Sequence, residues 1–277
     1  MSNSTTLRLP YLKGHGTGND FVVIEDLDEQ IDLTPAAVKA ICDRHLGIGA
    51  DGVLRVIRQG AHFFMDYRNA DGSIAETCGN GLRVFARYLI EHSLESRGTF
   101  AVGTRAGIVQ ITVDPDDTQF DNVAVRMGLA QSPQNESEAQ VTTDCGSWTA
   151  AARFIPNPHC VAVVDDMFSV GGLHDCPTVS PHEVFPAGAN FEFVEERGTH
   201  HIGMRTYERG VGETQACGSG ACAAADVWAH RNNLGDVWTV QVDVLGGTVF
   251  VDSDADRVLT LRGPARFVST GELRVTF

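Results

Sequence analysis

Two short segments of the sequence combine a cysteine with glycines in the same order. Cys78 is followed by Gly79-Asn80-Gly81 and Cys217 by Gly218-Ser219-Gly220, and the two cysteines are 139 residues apart (217 − 78). A helical pattern follows each segment, so each cysteine is predicted to lie at the start of a helix. Amide groups that have no partner within the helix, together with the helix dipole, favour a thiolate there and bind anions. The pattern predicts two proton-transferring thiols beside two carboxylate sites.

Two such thiols suit one reaction in particular. To invert a carbon that bears hydrogen, a base must remove the proton from one face while an acid delivers a proton to the other. Helix N-terminal amides that bind the neighbouring carboxylate would stabilise the carbanion, so we expect no cofactor. The alternatives from other classes are a binding module and a thiol redox protein in which Cys78 and Cys217 form a disulfide. We also expect that disulfide as a regulatory side reaction of an enzyme.

The elements that must position the cysteines are predicted to occur twice. Asn69 precedes Glu208 by the same 139 residues, and the apolar segment that begins at Val22 lies opposite the one that begins at Val161. Several matches at one offset predict a duplicated fold. Thr34-Pro35 supplies the N-cap and first-turn proline of a further helix, which is predicted to end near residue 44.

Each half is predicted to contain several short strands and one long helix directly after its cysteine. These helices are expected at about residues 81–93 and 220–232. A polar segment with a proline, residues 131–140, predicts the boundary between the halves. We therefore expect two domains, residues 1–130 and residues 131–266.

Composition narrows the class of protein. The 277 residues include 21 Lys and Arg against 36 Asp and Glu, a formal charge of −15, which argues against binding to nucleic acid or to an anionic membrane. Seven cysteines without regular spacing favour a reducing compartment, and the polar amino-terminal segment has no signal-peptide core. We expect a cytoplasmic protein. The sequence has no HExxH, CxxC or EF-hand pattern, so no metal site is predicted.

Five motifs resemble those of the diaminopimelate epimerase family. They are GHGTGNDF at 14–21, YRNADGS at 67–73, ETCGNGLR at 76–83, NPH at 157–159 and YERGVGETQACGSG at 207–220. The resemblance extends over nearly the whole chain, and residues 65–67 and 82–86 are most similar to the actinobacterial members. Proline and hydroxyproline racemases, which also use two thiols, are the nearest enzymatic alternative.

The resemblance implies an isomerase that interconverts LL- and meso-2,6-diaminopimelate without a cofactor, in the biosynthesis of lysine and peptidoglycan precursors. Cys78 and Cys217 would be its acid and base, and His159 and Glu208 would tune the thiols or hold substrate. The implied fold is α+β, with two pseudo-symmetric domains, each a curved and mostly antiparallel sheet around a central helix. A C-terminal strand at about 267–277 would return to the first domain, and the enzyme would be a homodimer.

The resemblance also implies contacts to the substrate. Those residues are Asn19, Asn69, Gly79, Asn80, Asn157, Asn190, Glu208, Arg209, Gly218 and Ser219. Three positions depart from the family pattern: Gly52 stands where some members have Gln, Pro156 replaces a common Gly, and Phe191 replaces a small aliphatic residue. These departures concern the exact shape of the substrate site rather than the reaction.

Overall fold

The computed structural model describes residues 6–133 and 139–276, so residues 134–138 of the predicted boundary segment lie outside the described residues. The chain forms two compact units. The first unit contains residues up to Val125 together with those from Pro264 onward, and the second contains Arg126–Gly263. The boundary was predicted at residue 130. It falls five residues earlier because Ala124 and Val125 still pair with a strand of the first unit.

The first unit contains eight strands and two helices in a regular order. They are β1 (Thr6–Gly16), β2 (Asn19–Glu25), α1 (Pro35–Cys42), β3 (Gly52–Gln59), β4 (His62–Asn69), α2 (Gly79–Glu91), β5 (Gly98–Thr104), β6 (Gly107–Val113), β7 (Val123–Leu129), which crosses the boundary, and the last strand, β18 (Arg266–Thr276). β1 was not among the predicted strands, because Pro10, Gly14 and Gly16 interrupt its pattern.

The second unit repeats the arrangement with additional short strands. Its elements are β8 (Ala139–Thr143), β9 (Gly146–Ile155), β10 (Asn157–Val164), β11 (Thr178–Ser180), a 3-10 turn (His182–Val184), β12 (Asn190–Gly198), β13 (His201–Glu208), β14 (Gly212–Thr214), α3 (Gly218–Arg231), β15 (Trp238–Val244), β16 (Gly247–Ser253) and β17 (Val258–Gly263).

The strand order is the same in both units. It is β18-β1-β2-β3-β4-β5-β6-β7 in the first and β8-β9-β10-β12-β13-β15-β16-β17 in the second, with β11 beside β8 and β14 beside β13. Most neighbours are antiparallel, and parallel pairs recur at matching places: β2 with β3 and β4 with β5, then β10 with β12 and β13 with β15. The predicted α+β fold with two similar domains is confirmed.

Each long helix begins two residues before its predicted start, because the cysteine is itself the N-cap residue. α3 packs among strands through alanines, and Ala221, Ala223, Ala224 and Ala225 are all buried in one apolar cluster with valines of β15 and β16. Such small side chains let strands approach the helix closely on several sides. The shorter α1 begins as predicted, because the Thr34 hydroxyl accepts a hydrogen bond from the Ala37 amide at 3.2 Å.

One part of the predicted repeat was out of register. Val161 packs in the cluster around α3, whereas Val22, predicted as its match, packs with α1 on the other face of its sheet. Because side chains alternate between the faces of a strand, the match must move by one residue, to Val23. In this strand the offset is therefore 138, so Asn157 takes the place of Asn19.

None of the helices in the described ranges is long and apolar enough to cross a membrane.

Candidate active site

The first thiol site is the start of α2, where Cys78 is the N-cap residue. Its backbone is extended, and its sulfur accepts a hydrogen bond from the Gly81 amide at 3.4 Å. Gly79 and Asn80 form the first turn behind it and are buried. A small residue is required at Gly81, since a Cβ atom there would lie 3.2 Å from Leu54 Cδ2. The sequence of this turn therefore brings the thiol and the helix amides together.

Asn19, the first residue of β2, contacts both Cys78 and Asn80. Its Oδ1 atom accepts hydrogen bonds from Cys78 Sγ at 3.6 Å and from Asn80 Nδ2 at 3.2 Å. Its Nδ2 atom donates to Asp51 Oδ2 at 2.8 Å, and Arg44 contacts the other oxygen of Asp51 at 2.7 Å. The carboxylate of Asp51, which the sequence analysis did not select, fixes the orientation of the Asn19 amide.

Asn69 and Gly52 border the same face of the first sheet. Asn69 ends β4, and its amide donates to the Ser73 hydroxyl at 3.0 Å. A Cβ atom at Gly52 would lie 2.5 Å from the Arg68 carbonyl oxygen and 2.7 Å from the Tyr67 ring. Glycine at position 52, where some family members have Gln, is therefore a steric requirement in this chain, because the Tyr67 ring occupies the space beside it.

The second thiol site is the start of α3, where Cys217 has the same role as Cys78. Its sulfur accepts a hydrogen bond from the Gly220 amide at 3.4 Å and lies 3.6 Å from the Ser219 hydroxyl. Burial raises the pKa of the Cys217 thiol well above its usual range, and the carboxylates of Glu208 and Glu192 raise it further. These effects outweigh the helix N-terminus, so the thiolate predicted at each helix start is not favoured at Cys217.

His159 lies in a fully buried pair with Glu192, which the sequence analysis had not selected. The Nδ1 atom of His159 is 2.8 Å from Glu192 Oε1, and neither residue is exposed. His159 Nε2 and Glu192 Oε2 are also buried, and within the described residues they have no hydrogen-bond partner. A charged residue inside the apolar run Phe191–Val194 was the available signal, because an acidic side chain in a buried strand needs a partner.

The other predicted residues of the second unit lie at the ends of neighbouring strands. Thr214 donates to Glu208 Oε1 at 2.7 Å, and Asn190 Oδ1 accepts the backbone amide of Arg209 at 2.9 Å. The Arg209 guanidinium donates through Nη1 to the Ala187 carbonyl at 2.9 Å. Asn157 is exposed at the start of β10. These contacts hold Asn190 and Arg209 together.

Strand register places most of these side chains on one face. Val161 and Glu192 are partners across β10 and β12, and Glu192 and Thr206 are partners across β12 and β13. Val161 packs against α3, and side chains two residues apart share a face, so the α3 side also carries the following residues: Asn157, His159, Asn190 and Glu208. Phe191 is on the other face, where it packs with Phe193 and Cys160, so this departure does not alter the second thiol site.

Each thiol site thus combines a sulfur atom, the amides of a helix N-terminus and polar side chains on one sheet face. These are the functional groups that proton transfer at a carbon next to a bound carboxylate requires. In the part of the chain that the structure describes, the seven cysteines form no disulfide bond with one another. No group of three or more His, Cys, Asp or Glu side chains that could hold a metal ion occurs in residues 6–133 and 139–276.

A family model described as diaminopimelate epimerase matches residues 11–133 and 151–268 of this chain. The chain belongs to the diaminopimelate epimerase family. It is 43% identical to the diaminopimelate epimerase of Streptomyces coelicolor over 96% of this chain and 95% of that protein. It is 40% identical to the diaminopimelate epimerase of Corynebacterium glutamicum (strain R), over 97% and 99%. The resemblance seen in the motifs is confirmed, and the chain is an isomerase.

Solved structures with the same fold include members of other families. A phenazine biosynthesis protein of the PhzF family from Bacillus anthracis has a TM-score of 0.66 at 17% identity, covering 97% of this chain and 99% of that one. A hydroxyproline epimerase from Agrobacterium vitis has a TM-score of 0.65 at 13% identity, covering 96% and 92%. At these identities the similarity establishes the fold alone.

Proposed function

We propose that the protein interconverts LL- and meso-2,6-diaminopimelate without a cofactor, with Cys78 and Cys217 as its acid and base. The observation that carries this proposal is that each cysteine caps the central helix of its own unit. Two units of one plan therefore present the same proton-transferring group. The relatives from Streptomyces coelicolor and Corynebacterium glutamicum are named diaminopimelate epimerase, which supports the choice of substrate.

In the proposed reaction a thiolate removes the proton from the α-carbon while the other cysteine, as a thiol, delivers a proton to the opposite face. The carbon–hydrogen bond breaks, its electron pair moves into the adjacent carboxylate, and a new carbon–hydrogen bond forms with inverted configuration. Sulfur accepts the Gly81 and Gly220 amides. We therefore assign the reacting carboxylate to the amides of Gly79 and Asn80 and of Gly218 and Ser219, where developing charge is stabilised.

The distal end of the substrate carries an ammonium and a carboxylate group, which need acceptors and donors together. The proposed contacts are Asn19, Asn69, Asn157, Asn190, Glu208 and Arg209. Arg209 donates to the Ala187 carbonyl through Nη1, and its Nε–Nη2 edge has the geometry for a bidentate bond to a carboxylate. His159 and Glu208, on the α3 side of the second sheet, would adjust the proton affinity of Cys217.

The resemblance also supports a physiological setting. We propose that the enzyme works in the cytoplasm as a homodimer and supplies meso-diaminopimelate for lysine and peptidoglycan precursors. Its substrate is a small molecule that is nearly neutral overall. A net charge of −15 on the protein therefore does not oppose substrate binding through long-range repulsion.

The decisive experiment is incubation of the purified protein with LL-diaminopimelate in deuterated water, with no cofactor added. Wild-type protein should form the meso isomer and incorporate deuterium at the inverted α-carbon. Cys78→Ala and Cys217→Ala should each abolish meso formation, because each removes the acid or base for one face. Cys145→Ala is the matched control, since Cys145 is an exposed cysteine remote from both helix starts in sequence.

A parallel panel with L-proline and trans-4-hydroxy-L-proline separates this proposal from the related racemases. Neither compound should be epimerised, because neither has the distal amino-acid group. Turnover of either compound but not of diaminopimelate would refute the proposed substrate. Normal meso formation by Cys78→Ala or Cys217→Ala would refute the two-thiol mechanism.

A further inference from the structure

The first turns of α2 and α3 are covered by different side chains at equivalent positions of their sheets. Leu54 in β3 pairs with Val23 of β2, and Glu192 in β12 pairs with Val161 of β10, so the leucine and the glutamate occupy the same place in the repeat. A Cβ atom at Gly81 would lie 3.2 Å from Leu54 Cδ2. A Cβ atom at Gly220 would lie 2.6 Å from Glu192 Oε1 and 3.2 Å from Cys217 Sγ. The second unit has a carboxylate where the first has a methyl group.

This carboxylate is held in a defined arrangement. Glu192 is fully buried, and its Oε1 atom is 2.8 Å from Nδ1 of the equally buried His159. An ionised carboxylate can only accept a hydrogen bond, so in this contact Nδ1 carries the proton, and when the imidazole is neutral Nε2 is its unprotonated nitrogen. The positive end of the α3 dipole stabilises the negative charge of Glu192 at this place.

The charged and titratable groups around the two thiols differ accordingly. Cys217 is near Glu192 on β12, Glu208 on β13 and, through Glu192, His159 on β10, while Ser219 and the Gly220 amide come from α3 itself. Cys78 contacts the uncharged amide of Asn19, and the side chain beneath its helix turn is Leu54. The duplicated fold therefore places a carboxylate beside the first turn of α3, near Cys217, and a leucine at the equivalent place in the first unit.

We propose that Glu192 is a positioning residue that makes the two cysteines unequal: it fixes the Nδ1-protonated tautomer of His159 and keeps Cys217 as the thiol in the resting enzyme. This inference rests on the proposed function and deepens it. Cys78, whose thiol donates to the Asn19 amide oxygen, is then the cysteine that loses its proton first and removes the substrate proton as a thiolate, and Cys217 is the acid, which delivers one. After that step the sulfur of Cys78 carries the abstracted proton and Cys217 is the thiolate. The charge of Glu192 favours the return of a proton to Cys217.

The test is the pH dependence of thiol alkylation in the free enzyme. Wild-type protein and the variants Glu192→Gln, Glu192→Leu and Glu183→Gln are treated with iodoacetamide over a range of pH, and each cysteine peptide is quantified by mass spectrometry. Glu192→Gln removes the charge with little change of volume, and Glu192→Leu reproduces the residue type of the first unit. Glu183 is an exposed glutamate of the same unit and serves as the matched control. The midpoint of each profile reports ionisation, whereas accessibility changes only the plateau.

In the wild type, Cys78 should have the lower midpoint. In Glu192→Gln the midpoint of Cys217 should fall by about one pH unit or more, as expected when a like charge within a few ångströms is removed. Glu192→Leu should shift it in the same direction, and Glu183→Gln should leave it unchanged. The midpoint of Cys78 should stay the same throughout. A Cys217 midpoint that is unaltered in Glu192→Gln, as it would be if the His159–Glu192 pair carried no net charge, overturns the proposal.

A second measurement needs no variant. Nitrogen-15 NMR of histidine-labelled wild-type protein should show His159 protonated at Nδ1 only, and protonation at Nε2 only would overturn the tautomer assignment. Epimerisation of LL-diaminopimelate is measured on the same wild-type preparation. Activity together with an unmoved Cys217 midpoint refutes the role of Glu192 alone, whereas an inactive wild type refutes the proposed function.

Discussion

Replacement of Gly220 by alanine should test how tightly the second thiol site is built. The new Cβ atom would lie 2.6 Å from Glu192 Oε1, closer than atoms can approach, so the carboxylate must move. Because Oε1 is 2.8 Å from His159 Nδ1, that movement breaks the buried hydrogen bond. A hydrogen bond to a charged group contributes about 1.5–3 kcal/mol. Alanine has a higher helix propensity than glycine, and this difference stabilises the folded state by about 1 kcal/mol.

The expected net effect of Gly220→Ala is a loss of about 0.5–2 kcal/mol in the free energy of unfolding, measured by urea denaturation. The epimerase activity should also fall at least tenfold. Gly81→Ala is the matched comparison, since the three atoms nearest its Cβ atom would be apolar side-chain atoms of Leu54, Cys78 and Phe21 at 3.2–3.5 Å. There the helix propensity and the tight contacts should nearly cancel, to within about 1 kcal/mol. If both variants were equally stable, the clash with Glu192 would not break the hydrogen bond between Glu192 and His159.

Two further predictions concern the ionisation of other thiols, first that of Cys78 and then those of Cys42 and Cys160. Asn19→Asp places a carboxylate where an amide oxygen now lies 3.6 Å from Cys78 Sγ, so the pKa of Cys78 should rise. The pH profile of kcat should therefore shift to higher pH, whereas the exposed control Asn122→Asp should leave it unchanged. A profile of Asn19→Asp that coincides with that of the wild type would contradict this expectation. Burial raises the pKa of Cys42 to about 12 and that of Cys160 well above its usual range, so both stay protonated in the folded protein but ionise in the unfolded chain above about pH 8.5. The free energy of unfolding should therefore be independent of these thiols at about pH 7 and decrease between about pH 8.5 and pH 10. Cys160→Ala should reduce that decrease and exposed Cys145→Ala should not; a decrease of the same size in both would argue against this origin.

The starts of the helices could be predicted from the sequence because they depend on a few neighbouring residues. The turns at Cys78 and Cys217 contain the N-cap residue and the glycines that the first helical turn needs, so both helices were placed to within two residues. Thr34-Pro35 located the start of α1 for the same reason. The strand β1 was missed because proline and glycine residues obscure its pattern, and its pairing with β18 depends on residues more than 250 positions away.

Only some of the residues in the two thiol sites could be predicted from the sequence. Asn19 is beside Cys78 because β2 and α2 meet at their starts, and the motifs pointed to both residues. Glu192 could have been noticed as a charged residue in an apolar run, but its place beside Cys217 could not be assigned, because that place comes from its register with Val161 and from the first turn of α3 above it. The predicted match of Val22 with Val161 placed that register one residue away, which would have turned this glutamate to the wrong face.

The pairing of β18 with β1 also affects the order in which the chain can fold. Thr6 pairs with Thr276, whereas the second unit is built from the continuous segment Arg126–Gly263. A sheet closed by strands from both ends of a long segment forms slowly, because the intervening loop must first lose its entropy. During synthesis the second unit can therefore reach its native topology while β1 still lacks its neighbour. Until β18 emerges, the edge of β1 that pairs with β18 has no strand partner in the nascent protein and can pair with other chains.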